Sequence, residues 1–286
     1  MVLGCTSLLA CGGGDAADDA DVSNDDLSDD AIAPDAAPSG HRLSIAFDYR
    51  YDDAAFFTPA ARATLEAAAA AWGDAIGDDF EMIPAGTSVR SRDPEAPEVD
   101  GTSFNIDVAI DDVLVFVGCS HIDGPSGITA TSNSAAAINS VVDAALRDRL
   151  STRYYGANFE PWTAWISFDC DESWYFDQDT STDADIPGAD RDFWTVAMHE
   201  LAHTLGFGTA DAHFALVNGT PAFTGAAAAA EHGGPVPMTA SGTHFADGVM
   251  SDGVAPLMDQ SRPNGSRFWS TPLDLAALTD LGYELR

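Results

Sequence analysis

The stretch "DFWTVAMHELAHTLG", residues 192–206, constrains this chain more than any other. It reads as a helix, with Asp190 or Asp192 placed to cap its start and Gly206 to end it in a left-handed conformation. Within it, His199, Glu200 and His203 spell H-E-x-x-H. Residues four apart share one helix face about a turn apart, so both imidazoles can bind one ion. Glu200, beside the first of them, can then hydrogen-bond a metal-bound water without becoming a ligand. Zinc commonly takes a third protein ligand and keeps its fourth position open for that water. The chain must therefore fold so that one more ligand is carried to this helix. The longer spacing H-E-x-x-H-x-x-G-x-x-H is matched as far as Gly206, but position 209 is Thr, a poor zinc ligand.

Five residues can supply the third ligand: Asp211, His213, Glu231, His232 and His244. Asp211 and His213 fall beyond position 209 and reach the ion only if the turn is rebuilt. Glu231 would serve from a second helix, but "GAAAAAEHGG" offers no partner motif. His244 stands in "SGTHFADGVMSDGVAPLMDQ", a glycine-containing loop in which Met258 follows fourteen residues later. Its distance in sequence is a weak objection, since each doubling of loop length costs only about 0.6 kcal/mol.

Composition narrows the class of partner. The 286 residues include 46 acidic and 12 basic side chains, a net charge of −34, with ordinary hydrophobic content for a chain able to bury a core. Such a charge argues against nucleic acid and favours cationic partners, a saline exterior or plain solubility. The acidic segment "DQDTSTDADIPGADRD" (177–192) lacks EF-hand spacing, so calcium has no motif behind it and a solvated surface loop is expected. A single monomeric chain acting on a protein or peptide is the expectation.

The N-terminus reads "MVLGCTSLLACGGG". Leu8, Leu9 and Ala10 before Cys11 resemble a bacterial lipobox, with "VLGC" ending at Cys5 a weaker second site. The apolar run is too short to span a bilayer and lacks a positive start. From Gly12 to Gly40 there are nine Asp and no Lys or Arg, a composition that cannot bury enough apolar surface to fold. Residues 1–11 thus read as a lipoprotein-type signal and 12–40 as a disordered acidic tether. The implied address is the bacterial cell envelope, lipid-anchored through Cys11, or secretion if Cys11 carries no lipid. Cys119 and Cys170 each close an apolar run, and in an exported chain they can form a disulfide between neighbouring strands.

Periodicity places strands in "HRLSIAFDY", "EMIPAG", "DDVLVFVGC" and "TAWISFD". A helix is expected in "TPAARATLEAAAAAWGDAIG", with Thr58 as N-cap, Pro59 in the first turn, and Leu65, Trp72 and Ile76 on one face. Another is expected in "SAAAINSVVDAALRDRL" (134–150), striped by Ile138, Val142 and Leu146. Residues 207–270, rich in Gly, Pro and Ala, read as loops. The last helix begins "STPLDLAALTDLG", with Thr271 and Asp274 forming a near capping box and Gly282 closing it. Together these imply one α+β domain over 41–286, divided by a cleft into an upper part (41–206) and a loop-rich lower part (207–286), with the metal helix on the cleft floor.

The segments "HELAHTLGFGT", "FTGAAAA", "GGPVPM", "GTHF", "PLMD" and "STPLDLAALTDLGY", in that order, resemble the leishmanolysin-type branch of the metzincin zinc proteases. Upstream, "FDYRYDDAAFFTPAAR", "IDDVLVFVG" and "WISFDCDESWYFD" resemble bacterial members, so the likeness covers about residues 43–285. It departs in having Phe245 where tryptophan is common after the histidine, and no tryptophan soon after Gly206. The resemblance implies a zincin fold with a twisted mixed sheet, His244 as third zinc ligand, and Met258 in a methionine turn beneath the metal. It implies a metalloendopeptidase in which Glu200 is the general base, with substrate lying extended along an edge strand, for which "TAWISFD" is the expected candidate. Two rival readings use the same features: a catalytically silent adhesion or binding lipoprotein, and a zinc amidase acting on cell-wall peptide.

Overall fold

The computed structural model describes residues 40–286 except 100, 126, 136–137, 141–143, 178, 218 and 220, so Cys11 and the tether up to residue 39 lie outside the described residues. In chain order the elements are β1 (Ile45–Asp48), α1 (Pro59–Ala75), β2 (Ser88–Ser91), β3 (Thr102–Asn105), β4 (Val113–Ser120), β5 (Ala130–Ala135) and β6 (Ile138–Ser140). They continue with α2 (Ala144–Tyr155), β7 (Thr163–Asp169), β8 (Trp174–Tyr175), β9 (Arg191–Asp192), α3 (Phe193–Thr204), α4 (Asp211–Val217), β10 (Ala222–Phe223), α5 (Ala226–His232), β11 (Val236–Pro237) and α6 (Pro272–Asp280). The class is α+β, as the sequence implies.

The main sheet has the order β1-β4-β7-β5. The first three strands are parallel and β5 is antiparallel to β7, so the sheet is mixed. Strand β4 is apolar almost throughout because both of its faces are covered. Val113, Val115 and Val117 join the core shared with α1 and α3, while Leu114 and Phe116 join a second cluster with Val89, Leu146, Leu150 and Trp162. Cys119 at the end of β4 is bonded to Cys170 just past β7, with Cα atoms 5.3 Å apart. This bond fits an oxidising compartment.

Helix α1 follows its sequence reading. Thr58 accepts from the Ala61 amide, and Leu65, Trp72 and Ile76 are fully buried. The Trp72 indole donates to the Met198 carbonyl at 3.0 Å, which ties α1 to the middle of α3. At the other end of the chain, Thr271 and Asp274 form a complete capping box on α6.

Five expectations are corrected. Of the helix expected over 134–150, Ser134 and Ala135 close β5, Ile138–Ser140 form β6, and the helix begins only at Ala144. The ladder along β7 takes in Ser134 and Ala135, and Ile138 pairs with Val89 rather than sharing a helix stripe with Leu146. Val142 lies outside the described residues. "EMIPAG" forms no strand beyond a single bridge from Ile83 to Ile110.

"TAWISFD" is β7, paired on both sides, and is therefore no edge; the outer position belongs to β5. Residues 207–270 contain α4 and α5 as well as loops. Helix α5 is too short and alanine-rich to show a stripe, and its first amides are capped from far away by Asp280, which accepts from Ala227 and Ala228.

The acidic segment 177–192 is also more than a solvated loop. The buried Arg267 guanidinium bonds the carboxylates of Asp177 and Asp192 and the carbonyls of Asp179 and Thr182.

Candidate metal centre

Every residue of α3 is buried, and its N-terminus is held twice over. Asp192 accepts from the Thr195 amide and hydroxyl, and the same carboxylate is clamped by Arg267. At the other end Gly206 has φ +100°, and a Cβ there would stand 2.6 Å from the Phe159 ring. Two residues on, a Cβ on Gly208 would meet the Thr243 carbonyl oxygen at 2.4 Å. This close backbone approach brings the loop carrying His244 over the end of α3.

His199, His203 and His244 converge, with their three Nε2 atoms mutually 3.1 Å apart. The other ring nitrogen explains why these are not hydrogen bonds. His199 Nδ1 stands 3.0 Å from the Leu257 carbonyl oxygen and His203 Nδ1 stands 2.6 Å from that of Phe207. A carbonyl only accepts, so each Nδ1 carries the proton and each Nε2 presents a lone pair. His244 Nδ1 stands 2.9 Å from the Thr243 hydroxyl, which can accept its proton in the tautomer that leaves Nε2 free.

Burial pushes His203 down to about 3 and His244 to about 4, and it holds His199 well below its ordinary value. The Arg262 guanidinium adds to each shift. The three rings are therefore neutral at neutral pH. Three lone pairs meeting at one point repel unless a cation lies between them. A tetrahedral zinc centre with ~2.0–2.1 Å bonds sets its ligands about 3.3 Å apart, close to the spacing seen here. The residues fit a metal ion.

Glu200 lies beside this triad and accepts from the Ser132 hydroxyl on β5 at 2.7 Å. Burial raises its pKa to about 7, against the opposing pull of Ser132 and Arg262. Met258 is buried, and its segment is laced to the centre. The Met258 carbonyl accepts from the Phe245 amide, next to the third histidine. The Leu257 and Met258 amides both donate to Asp274.

The remaining ligand candidates lie elsewhere. Thr209 donates its hydroxyl to the His203 carbonyl and so finishes the helix. His213 is fully buried with Nε2 2.8 Å from the Gly242 carbonyl oxygen, supporting the His244 loop from behind. Asp211 starts α4 exposed, Glu231 is exposed, and His232 Nδ1 faces the Gly234 carbonyl.

The triad opens into a cleft of about 610 Å³. Thr129–Ser132 form one wall, α3 the floor, and Thr243, His244, Gln260 and Arg262 the opposite side. Sequence reasoning missed Ser132, Arg262 and the second role of Asp274, since no motif marks a side chain whose partner lies tens of residues away. The chain matches no protein-family model, and no curated protein matches it.

Proposed function

We propose that this chain is a zinc-dependent endopeptidase of the leishmanolysin-like metzincin type. The observation that carries the reading is the set of three imidazoles, His199 and His203 buried and His244 half-buried, converging on one point with a buried carboxylate beside them in an open cleft. His199, His203 and His244 would hold the ion. A zinc ion there supplies Lewis acidity, which polarises a carbonyl oxygen and lowers the pKa of a bound water to ~7.

Glu200 would take a proton from the water that attacks the peptide carbonyl carbon and deliver it to the amine nitrogen as the C–N bond breaks. Ser132 donates to Oε2 and fixes the carboxylate's orientation, which leaves Oε1 for the proton. The free edge of β5 runs along the cleft wall, where an extended peptide can pair by backbone hydrogen bonds. Met258 packs beneath the ligands and touches no substrate.

The test is metal analysis of purified protein beside its cleavage of an unstructured protein, with and without chelator. One zinc per chain and chelator-sensitive cleavage are expected. Metal-independent cleavage, or full zinc occupancy with no hydrolysis of any peptide, would overturn the reading.

A further inference from the structure

We propose that Arg262 makes the cleft selective for a peptide carrying a carboxylate next to the bond presented to the metal centre. The inference rests on the hydrolase reading for the cleavage, and on the cleft alone for the binding.

Cations are scarce in this chain, and most described arginines are matched to acids. Arg50 bonds Asp48, Arg149 bonds Glu81, Arg153 bonds Glu160, and Arg267 bonds Asp177 and Asp192. Arg262 differs. It lines the cleft, and its Nε and Nη2 are shielded from solvent without a hydrogen-bond acceptor among the described residues.

The carboxylates that act on Arg262 through space are Asp274, Glu200 and Asp259. Each is already engaged. Asp274 accepts from Thr271, Leu257 and Met258, Glu200 from Ser132, and Asp259 from the Ser261 amide. Arg191 adds to the imbalance. It also lines the cleft, donates Nη1 to the Arg262 carbonyl, and leaves its own Nε without an acceptor.

Burial lowers Arg262 only to about 10, so it stays charged at neutral pH. The Arg191 guanidinium nearby increases the demand for an anion, and a divalent ion on the three histidines would add to it. A carboxylate matches the guanidinium fork in shape and charge. Two parts of a peptide can supply it: an Asp or Glu side chain, or the C-terminus. The net charge of −34 repels acidic peptides, so any preference for them must arise locally. Salt near 0.15 M screens the distant charges beyond about 8 Å.

The experiment measures fluorescence anisotropy of three labelled peptides on zinc-loaded Glu200→Gln protein at that salt. One peptide has a central Glu and an amidated end, one a central Gln and an amidated end, and one a central Gln and a free C-terminus. At least tenfold tighter binding of one carboxylate-bearing peptide over the neutral one is expected, and which peptide it is identifies the source. The preference should vanish with Arg262→Gln added and survive in part with Arg262→Lys, which also decides the matter if the Gln variant does not fold.

Equal or absent binding of all three peptides, or a preference unchanged by Arg262→Gln, overturns the inference. Wild-type kcat/KM on the same peptides separates the two readings. Binding preference without cleavage sinks the hydrolase alone, whereas cleavage without preference sinks the role of Arg262 alone.

Discussion

Glu200 shows how one side chain acquires its chemistry from its surroundings. On an exposed helix it would be an ordinary surface acid; here burial raises its pKa and the Ser132 hydroxyl orients it. Glu200→Gln keeps the three ligand nitrogens and nearly the same volume. It should bind zinc normally and lose hydrolysis by ~10²–10⁴-fold. Metal stoichiometry measured beside kcat tests this, and a variant that cleaves near the wild-type rate would rule out Glu200 as the base.

Asp78 offers a pH-dependent test away from the site. Burial raises it from 3.8 to about 6; the Glu284 amide opposes the shift, while the charges of Glu160 and Glu284 add to it. The folded state therefore holds the Asp78 proton more tightly than the unfolded chain does. Its contribution to stability falls as pH rises from about 4 to 6 and stays lowered above that. Asp78→Asn should melt with the wild type near pH 4 and above it near pH 7.5, as read from thermal midpoints. The same difference at both pH values would contradict the assignment.

At the scale of elements, the centre is built by what α3 and α6 each hold. Helix α3 presents His199 and His203, while α6 reaches the site through its cap. Asp274 accepts from the Thr271 amide and hydroxyl and from the amides of Leu257 and Met258. Leu257 in turn offers its carbonyl to His199. Asp274→Ala should cost about 2–4 kcal/mol, since several buried amides lose an acceptor at once. It should also weaken metal binding, because the tautomer and orientation of His199 depend on that carbonyl. Asp274→Asn should recover part of both losses. Urea denaturation and zinc titration read the two effects separately, and unchanged zinc affinity in the Ala variant would refute the link.

For the molecule as a whole, one core runs from Leu43 to Tyr283 and joins α1, α3, α6 and one face of the main sheet. The Cys119–Cys170 bond spans a sequence separation of 51. By loop-closure entropy, its removal should cost about 4 kcal/mol. The Cys119→Ala/Cys170→Ala double variant should show that loss in denaturant midpoints, and an unchanged midpoint would show that the unfolded chain gains nothing from the missing link. No described helix is long and apolar enough to cross a membrane. We propose a lipid on Cys11 as the attachment, and mass spectrometry of membrane-extracted protein should find a processed N-terminus with a modified Cys11.

The local parts of this protein are legible in its sequence. His199, Glu200 and His203 share a helix because a period of 3.6 places them together, and Thr58, Asp192, Gly206 and Thr271 mark helix ends through bonds that reach only a few residues. The buried strands 113–120 and 163–169 declare themselves by apolar content, because both of their faces are covered. Resemblance pointed to His244, but only the fold brings its imidazole to the other two, through the close pass of Gly208 under Thr243. The tertiary structure likewise decided that residues 130–135 form the edge strand, since their ladder partners on β7 lie about 30 residues on in sequence. It alone joined Ser132 to Glu200, Asp274 to Leu257 and Asp280 to α5, and left Nε and Nη2 of Arg262 without an acceptor among the described residues. The joined partners lie 17 to 68 residues apart in sequence. Periodicity and capping report only on near neighbours, and pairings across such separations exist only once the core has closed.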